Sequence, residues 1–483
     1  ASKKKDIIEF YNLTDYENWK KNNNLSKWNI KYYKGLGTST EKEAKEYFKD
    51  LKNVEYAWDE DNSKEKLDLA FNKKRADDRK KWLYDYDKQE ILDYKEKKVN
   101  YEDFIDKDLI HFSVYDTGRS IPSFCDGLKI STRKILYSSL KKNLTKEIRV
   151  AQLAGYVSEN ANYHHGEKSL QDAIIGMAQN YIGSNNINLL MPNGQFGTRL
   201  QGGKDAASPR YIHTELNPLT LAIFNKEDLP ILNYIDDDGD MIEPEFYLPV
   251  IPMVLVNGII GIGTGFSCNI PCYDPEKITK IYKKLLTSDD IKETLKTIKE
   301  LKPHYTGHLG PIVKDGNKYI SKGVYKRISP NQIEITELPV GTWTQDYKEF
   351  LEKCIDNPKN KLKDYDSHYT ENSVKFILHF EPGAVNDLLK FDKDSDLTKF
   401  EKEFKMTTSK LLSTTNMHMF DDKGTITKMK NIKEIIEKFY NFRLKWYQTR
   451  KDYIIDKLKK ELVILDARIK FILDIIEERL KIN

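Results

Sequence analysis

Hydrophobic positions fall into four stretches with different periods. Residues 1–107 are mostly polar. Trp28–Tyr33 alternates enough to predict a strand, which runs into a turn at Lys34-Gly35-Leu36-Gly37. Thr38 then reads as a helix N-cap with Glu41 closing a capping box. From 41 to 107 the pattern is charged and helical, a linker with Trp58, Phe71, Trp82 and Phe104 as its apolar anchors. Residues 108–270 are more apolar. Ser131–Lys142 predicts a helix with Ile135, Leu136 and Leu140 facing inward and Arg133, Lys134 and Lys141 outward. Ile148–Val157 and Ser169–Tyr181 predict two more, and the run Leu248–Val256 a buried strand. Within 271–431, strands alternate with short helices, at Tyr319–Tyr325, Gln332–Leu338 and Ser373–Phe380. In 432–483, Ile454, Leu458, Leu462, Leu465, Ile469, Ile472 and Ile476 recur at spacings of three and four. That is a coiled-coil-like seam whose partner is expected from another chain or from sequence beyond this one.

A chain of 483 residues exceeds one ordinary core, so two to four domains of α+β type are expected. With 39% hydrophobic and 11% aromatic residues, packed cores are expected rather than disorder. No apolar run is long enough for a membrane helix, and no secretory signal is evident. The cysteines, Cys125, Cys268, Cys272 and Cys354, are scattered, which suits a reducing compartment. Cys268 and Cys272 lack the second pair of a zinc site.

Net charge is only +4, but Arg119–Arg149 holds eight Lys/Arg against two acids. A local basic stripe on a near-neutral chain is the footprint of phosphate binding, the alternative being a solvated helix face. Short helices in close succession, one of them basic, suit a helix-turn-helix or winged-helix unit. The acidic run Asp236, Asp237, Asp238 and Asp240 reads as an exposed turn.

Candidate chemistry concentrates in residues 194–214. Four glycines (Gly194, Gly197, Gly202 and Gly203) predict a loop whose backbone approaches a ligand closely. Arg199, Lys204 and Arg210 are the cations near Tyr211, and Pro209 stiffens the approach to it. A phenol with a pKa near 10 is a poor nucleophile at neutral pH. Adjacent cations stabilise both the phenolate and the charge of a pentacoordinate phosphoryl centre. The alternative is a packed surface aromatic, one of 29 tyrosines. Gly258–Gly265 does not open a helix as a dinucleotide-binding turn would, and Lys34–Thr38 lacks the Gly-Lys-Ser/Thr ending of a P-loop.

Gly202-Gly203-Lys204-Asp205-Ala206-Ala207-Ser208-Pro209-Arg210-Tyr211 closely resembles the active-site segment of eukaryotic-type (type IIA) DNA topoisomerase II. Tyr32–Thr40, Arg119–Ser123 with Asp126–Lys129 and Arg133-Lys134, Tyr163–Glu167 and Gly258–Gly265 match the same family in the same order. The resemblance implies four regions. They are the end of a Toprim region with a helical linker (1–107), a winged-helix DNA-binding domain carrying the catalytic tyrosine (108–270), an α/β tower domain (271–431) and the start of a long coiled-coil arm (432–483). It implies that Tyr211 attacks a DNA phosphodiester and takes a 5′-phosphate, with Arg210 stabilising the transition state and Arg133, His164 and His165 at the scissile region. A metal site at the His pair is the alternative for those two rings. Lys34, Lys129, Lys134, Arg199 and Lys204 are expected on DNA, and Ile262 is expected to wedge between base pairs.

The resemblance also implies a homodimer on double-stranded DNA, with no membrane, and Mg2+ and ATP for the whole enzyme. Its setting is expected to be the nucleus, or a host cytoplasm if the source is viral. The family's ATPase region and its Toprim carboxylates are not in this sequence. The chain alone is therefore expected to bind and bend DNA but to cleave it poorly. A non-catalytic winged-helix DNA-binding protein remains the alternative. The bacterial gyrase-like branch divides these motifs between two polypeptides, and their fusion here speaks against it.

Overall fold

The computed structural model describes all residues except 4, 5, 11, 34–36, 38, 50–52, 94–96, 238, 317, 393, 394 and 481–483. It mixes helices with small sheets and forms two compact units. One is Ala1–Ser120 with Ile262–Phe266, the other Ile121–Gly261 with Ser267–Asn483.

The first unit is built mainly from helices, among them Glu41–Lys49, Glu60–Phe71, Ala76–Tyr84 and Ile110–Ser120. Its capping box is not the expected Thr38/Glu41 pair, of which Thr38 lies outside the described residues. Thr40 and Glu43 form it instead: the Thr40 N–H donates to Glu43 Oε2 at 2.7 Å, and the Glu43 N–H donates to Thr40 Oγ1 at 3.3 Å. Glu43 also accepts from Lys31 Nζ and Tyr33 Oη. Trp28–Tyr33 is not a strand; only Asn29 pairs, exchanging backbone bonds with Ser2 at 2.7 and 2.8 Å. Two expected anchors are largely exposed, Trp58 and Phe71. The other two hold: Trp82 donates to Asp106 at 3.0 Å, and Phe104 meets the Tyr56 ring.

Lys31, Thr40 and Tyr33 hold the Glu43 carboxyl at about 2, below its ordinary 4.5. The capped turn should therefore be complete above pH 4.5 and be lost as pH falls toward 2. Amide exchange at Thr40 and Glu43, corrected for its intrinsic pH dependence, should lose protection in that window.

In the second unit, helices α1 (Ile130–Lys141), α2 (Val150–Asn160) and α3 (Glu167–Ala178) pack through Ile135, Leu136, Leu153, Val157, Leu170 and Ile174. The predicted helices thus form, with ends shifted by one to three residues. Ile148–Arg149 is instead a short strand pairing antiparallel with His213–Thr214. Leu248–Val256 is largely buried, as expected, but is not a strand. Pro249 and Pro252 have no N–H to give a ladder, and Met253–Val256 closes one helical turn.

Farther along lies a four-stranded antiparallel sheet: β1 (Val324–Ser329), β2 (Gln332–Glu337), β3 (Leu362–Ser367) and β4 (Phe376–Phe380), in the order β1-β2-β4-β3. Helix Thr344–Ile355 buries Tyr347 and Leu351 in one core with Ile333, Ile335, Phe376 and Leu378. The expected strand Tyr319–Tyr325 is broken at Gly323, where a Cβ would stand 2.6 Å from the Glu337 carbonyl oxygen. Helix α4 runs unbroken from Ile432 to Ile476. Its first turns are buried through Ile435, Ile436, Phe439 and Phe442, and Arg443 pairs with buried Asp228 at 3.0 Å. Of the expected seam, Leu458, Leu462, Leu465, Ile469, Ile472 and Ile476 are exposed.

Asn186 ties these segments together. Its side-chain amide donates to the carbonyls of Val256, Tyr273 and His304, each at 3.0 Å, and its Oδ1 accepts from the Thr306 N–H. Asn186→Ala would leave buried carbonyls unpaired. It should lower unfolding stability by about 2–3 kcal/mol in a urea titration.

Candidate active site

Tyr211 lies on the loop returning from the glycine-rich stretch to strand His213–Thr214, with 78% of its surface exposed. The loop is fastened to the start of α2, where a helix leaves its first N–H groups unpaired. The Val150 N–H donates to the Ile212 carbonyl and the Ala151 N–H to the Pro209 carbonyl, both at 3.0 Å. No side chain caps α2 at Arg149; the backbone on either side of Arg210-Tyr211 does so. The Tyr211 N–H closes a tight turn on the Ser208 carbonyl at 2.9 Å. The phenol is thus held out by a backbone that cannot slide.

Arg210 and Lys204 are exposed beside it in sequence. Arg149 is exposed too and pairs in register with His213, which places its backbone near the tyrosine loop. Sequence reading counted Arg149 in the basic stripe without assigning it to the site; the strand pairing supplies the missing link.

The glycines have a different use from the one expected. A Cβ on Gly197 would stand 2.6 Å from the Gly203 Cα, and one on Gly202 would stand 2.2 Å from Trp343 Cε2. A Cβ on Gly203 would meet Gln179 Nε2 at 2.4 Å. These backbones approach other parts of the protein, and their positive φ angles fit the same folded-back loop. Internal bonds complete it: the Thr198 N–H donates to Asp205 Oδ1 at 2.9 Å and the Ala207 N–H to the Gln195 carbonyl at 2.9 Å.

Three cations expected near DNA are turned inward. Arg199 is buried and ion-paired with Glu337. Arg133, expected on the outer face of α1, is buried. Its Nε donates to Asp126 Oδ2 at 2.7 Å and its Nη2 to Asp126 Oδ1 at 3.0 Å. Burial opposes its charge, but Asp126 outweighs that and holds the guanidinium above its ordinary value. Asp126 also accepts from the Leu128 and Tyr247 N–H groups, so the Asp-Gly-Leu-Lys motif is a structural knot. Lys134 reaches Glu243 at 2.8 Å and the Ala161 carbonyl at 2.6 Å. Lys129 is half-buried, and burial lowers its amine below the usual value. Lys34 lies outside the described residues.

His164 and His165 sit on the loop joining α2 to α3. His165 packs edge-on against Tyr163, while His164 is exposed and 3.8 Å from Asp237. Asp237 also accepts from Asn162 at 3.0 Å, so the acidic hairpin braces the His loop. Among the described residues no group of three or more His, Cys, Asp or Glu is disposed to hold a metal ion.

Ile262, in the other unit, is 76% exposed at the tip between the paired strands Ile259–Ile262 and Ser267–Ile270. The tip rests on its own unit: a Cβ on Gly263 would stand 3.0 Å from the Thr117 Cα, and Phe266 meets the Tyr84 ring edge-on. A buried strand end, the alternative reading of Ile262, is not what forms.

Gly202→Ala combines a left-handed backbone (φ +62°) with a clash into Trp343. It should lower stability by about 2–4 kcal/mol in denaturant titration, with increased amide exchange across residues 195–211.

Residues 119–483 match the DNA gyrase/topoisomerase IV family model. Residues 1–117 match the C-terminal associated domain of TOPRIM. The chain is 44% identical to DNA topoisomerase 2 of Arabidopsis thaliana, over 99% of this chain and 32% of that protein. It is 44% identical to DNA topoisomerase 2 of Saccharomyces cerevisiae, over 99% of this chain and 33% of that one. The chain therefore spans about a third of the length of these relatives. A crystal structure of the Plasmodium falciparum topoisomerase II DNA-binding, cleavage and re-ligation domain superposes with a TM-score of 0.79 at 43% identity. That match covers all of this chain and 64% of the other.

Proposed function

Because the chain belongs to the type IIA DNA topoisomerases, we propose that it is the DNA-binding, cleavage and re-ligation part of an enzyme that changes DNA topology through a transient double-strand break. The observation that carries the reading is Tyr211, 78% exposed and adjacent to Arg210 on a loop fixed by the N-terminus of α2.

In this reading the Tyr211 Oη attacks a DNA phosphorus. A tyrosyl O–P bond forms as the bond to the 3′ oxygen breaks, leaving a 5′-phosphotyrosyl link and a 3′ hydroxyl. Attack by that hydroxyl reverses the step and releases Tyr211. Arg210 stabilises the extra negative charge on the five-coordinate phosphorus. His164 and His165 contact the scissile region. Arg149 and Lys204 hold neighbouring phosphates. Ile262 unstacks a base step, at a cost of a few kcal/mol, and so bends the duplex. Two copies, one Tyr211 on each, cut opposite strands. Helices α1–α3 with their small sheets correspond to the winged helix, the four-stranded sheet region to the tower, and α4 to the coiled-coil arm.

Mg2+ and ATP would serve the whole enzyme. The described residues do not fit a resident metal, so no step here is routed through one. The eukaryotic relatives favour a nuclear setting. No described helix is long and apolar enough to cross a membrane.

The test separates this reading from a non-catalytic winged-helix protein. With the chain joined to the family's metal-binding region, denaturant trapping on duplex DNA should give a covalent adduct. Tyr211→Phe should abolish it with DNA affinity changed less than about twofold, and Arg210→Ala should slow it about 100-fold or more. An adduct that persists in Tyr211→Phe removes the nucleophile assignment.

A further inference from the structure

We propose that Glu337, on strand β2 and far from Tyr211 in sequence, is a positioning residue for the tyrosine, acting through Arg199. This rests on the reading of Tyr211 as nucleophile.

Glu337 is buried at the end of β2 and gathers contacts from three segments. One oxygen takes the Arg199 guanidinium and the Leu338 N–H, the latter at 2.9 Å. The other takes the Leu309 N–H at 3.3 Å and faces His308 Nδ1 at 3.8 Å. That ring nitrogen is buried with no hydrogen-bond partner. Burial is the main effect that depresses the His308 pKa, so the ring is neutral at pH 7 and Arg199 is the carboxylate's cation.

The pair is not an isolated contact. The Thr344 N–H donates to the Arg199 carbonyl at 3.3 Å and the Gln345 N–H to the Leu200 carbonyl at 2.9 Å. Trp343 lies against Gly202. From Arg199 the chain of bonds runs through Thr198–Asp205 and Gln195–Ala207 to the Ser208–Tyr211 turn, and then to Val150 and Ala151. Both ends of the tyrosine loop are therefore fixed, one by α2 and the other by the sheet region. A single ion pair supplies the charge at the second end. Misplacing a nucleophile by about 1 Å can cost about 100-fold in rate, so loosening this end should be read at Tyr211.

The test uses the full enzyme carrying this segment, with Glu337→Gln, Arg199→Gln and the double variant. The backbone bonds at Thr344 and Gln345 remain in all three. Glu337→Gln should slow adduct formation at saturating DNA by about 10- to 100-fold, with DNA affinity changed less than about threefold. Hydrogen exchange should rise at the Val150 and Ala151 amides, which report the loop directly, while the strands of the four-stranded sheet stay protected. The double variant should lose no more than either single one, since all remove one link.

Unchanged exchange at Val150 and Ala151, or an unchanged adduct rate, overturns the proposal. Exchange that rises equally across the sheet also overturns it, since Glu337 would then be a general stability residue. A wild-type enzyme that forms no adduct at Tyr211 overturns the nucleophile reading instead, and the positioning role falls with it.

Discussion

The first two N–H groups of α2 have no partners within their own helix, and the chain satisfies them with the carbonyls of Pro209 and Ile212. Much of the site depends on this backbone joint. A side-chain cap would have stabilised the helix equally well and left the tyrosine segment loose. Using the loop as the cap couples helix stability to the placement of Tyr211. The partial positive charge of the helix start also lies beneath the segment proposed to receive a phosphate. The short pairing of Ile148–Arg149 with His213–Thr214 fixes the register of the joint.

Charge is divided between two tasks. Arg133, Lys134 and Arg199 are enclosed with Asp126, Glu243 and Glu337. Removing one partner of such a buried pair leaves an uncompensated charge, so these residues hold segments in place. Arg149, Lys204 and Arg210 stay exposed. A duplex approaching this surface meets fewer cations than composition suggests, and they sit on backbone that does not shift.

Much of the helical framework was legible in the sequence, because Ile135, Leu136, Val157, Leu170 and Ile174 follow the helical period. Tyr211 and Arg210 were legible only with the family resemblance, since one tyrosine among 29 has no distinguishing local signal. What stayed hidden depends on distant partners. Arg133 sits on a face that its own helix period marks as outward, and only Asp126 turns it inward. Arg199 needs Glu337, which is separated from it by 138 positions in the chain. The loop glycines were rightly read as close approaches, but the approaching groups are Trp343, Gln179 and the loop itself. The strand expected at Leu248–Val256 failed because apolar character does not replace the N–H groups that its prolines lack.

Helix α4 is rooted at one end and bare along much of its length. Its buried residues run from Ile435 to Arg443, and Arg450 adds a last tie to Asp228 at 3.3 Å. From Arg443 to Ile476 an unbroken helix extends about 50 Å at 1.5 Å per residue. A rod of that length magnifies rotation: a tilt of about 5° at the root carries the far end about 4 Å. The Asp228 clamp on two arginines thus works as a fulcrum. Any body that grips the distal turns would feel, several-fold enlarged, a repacking at the base too small to disturb the core around it.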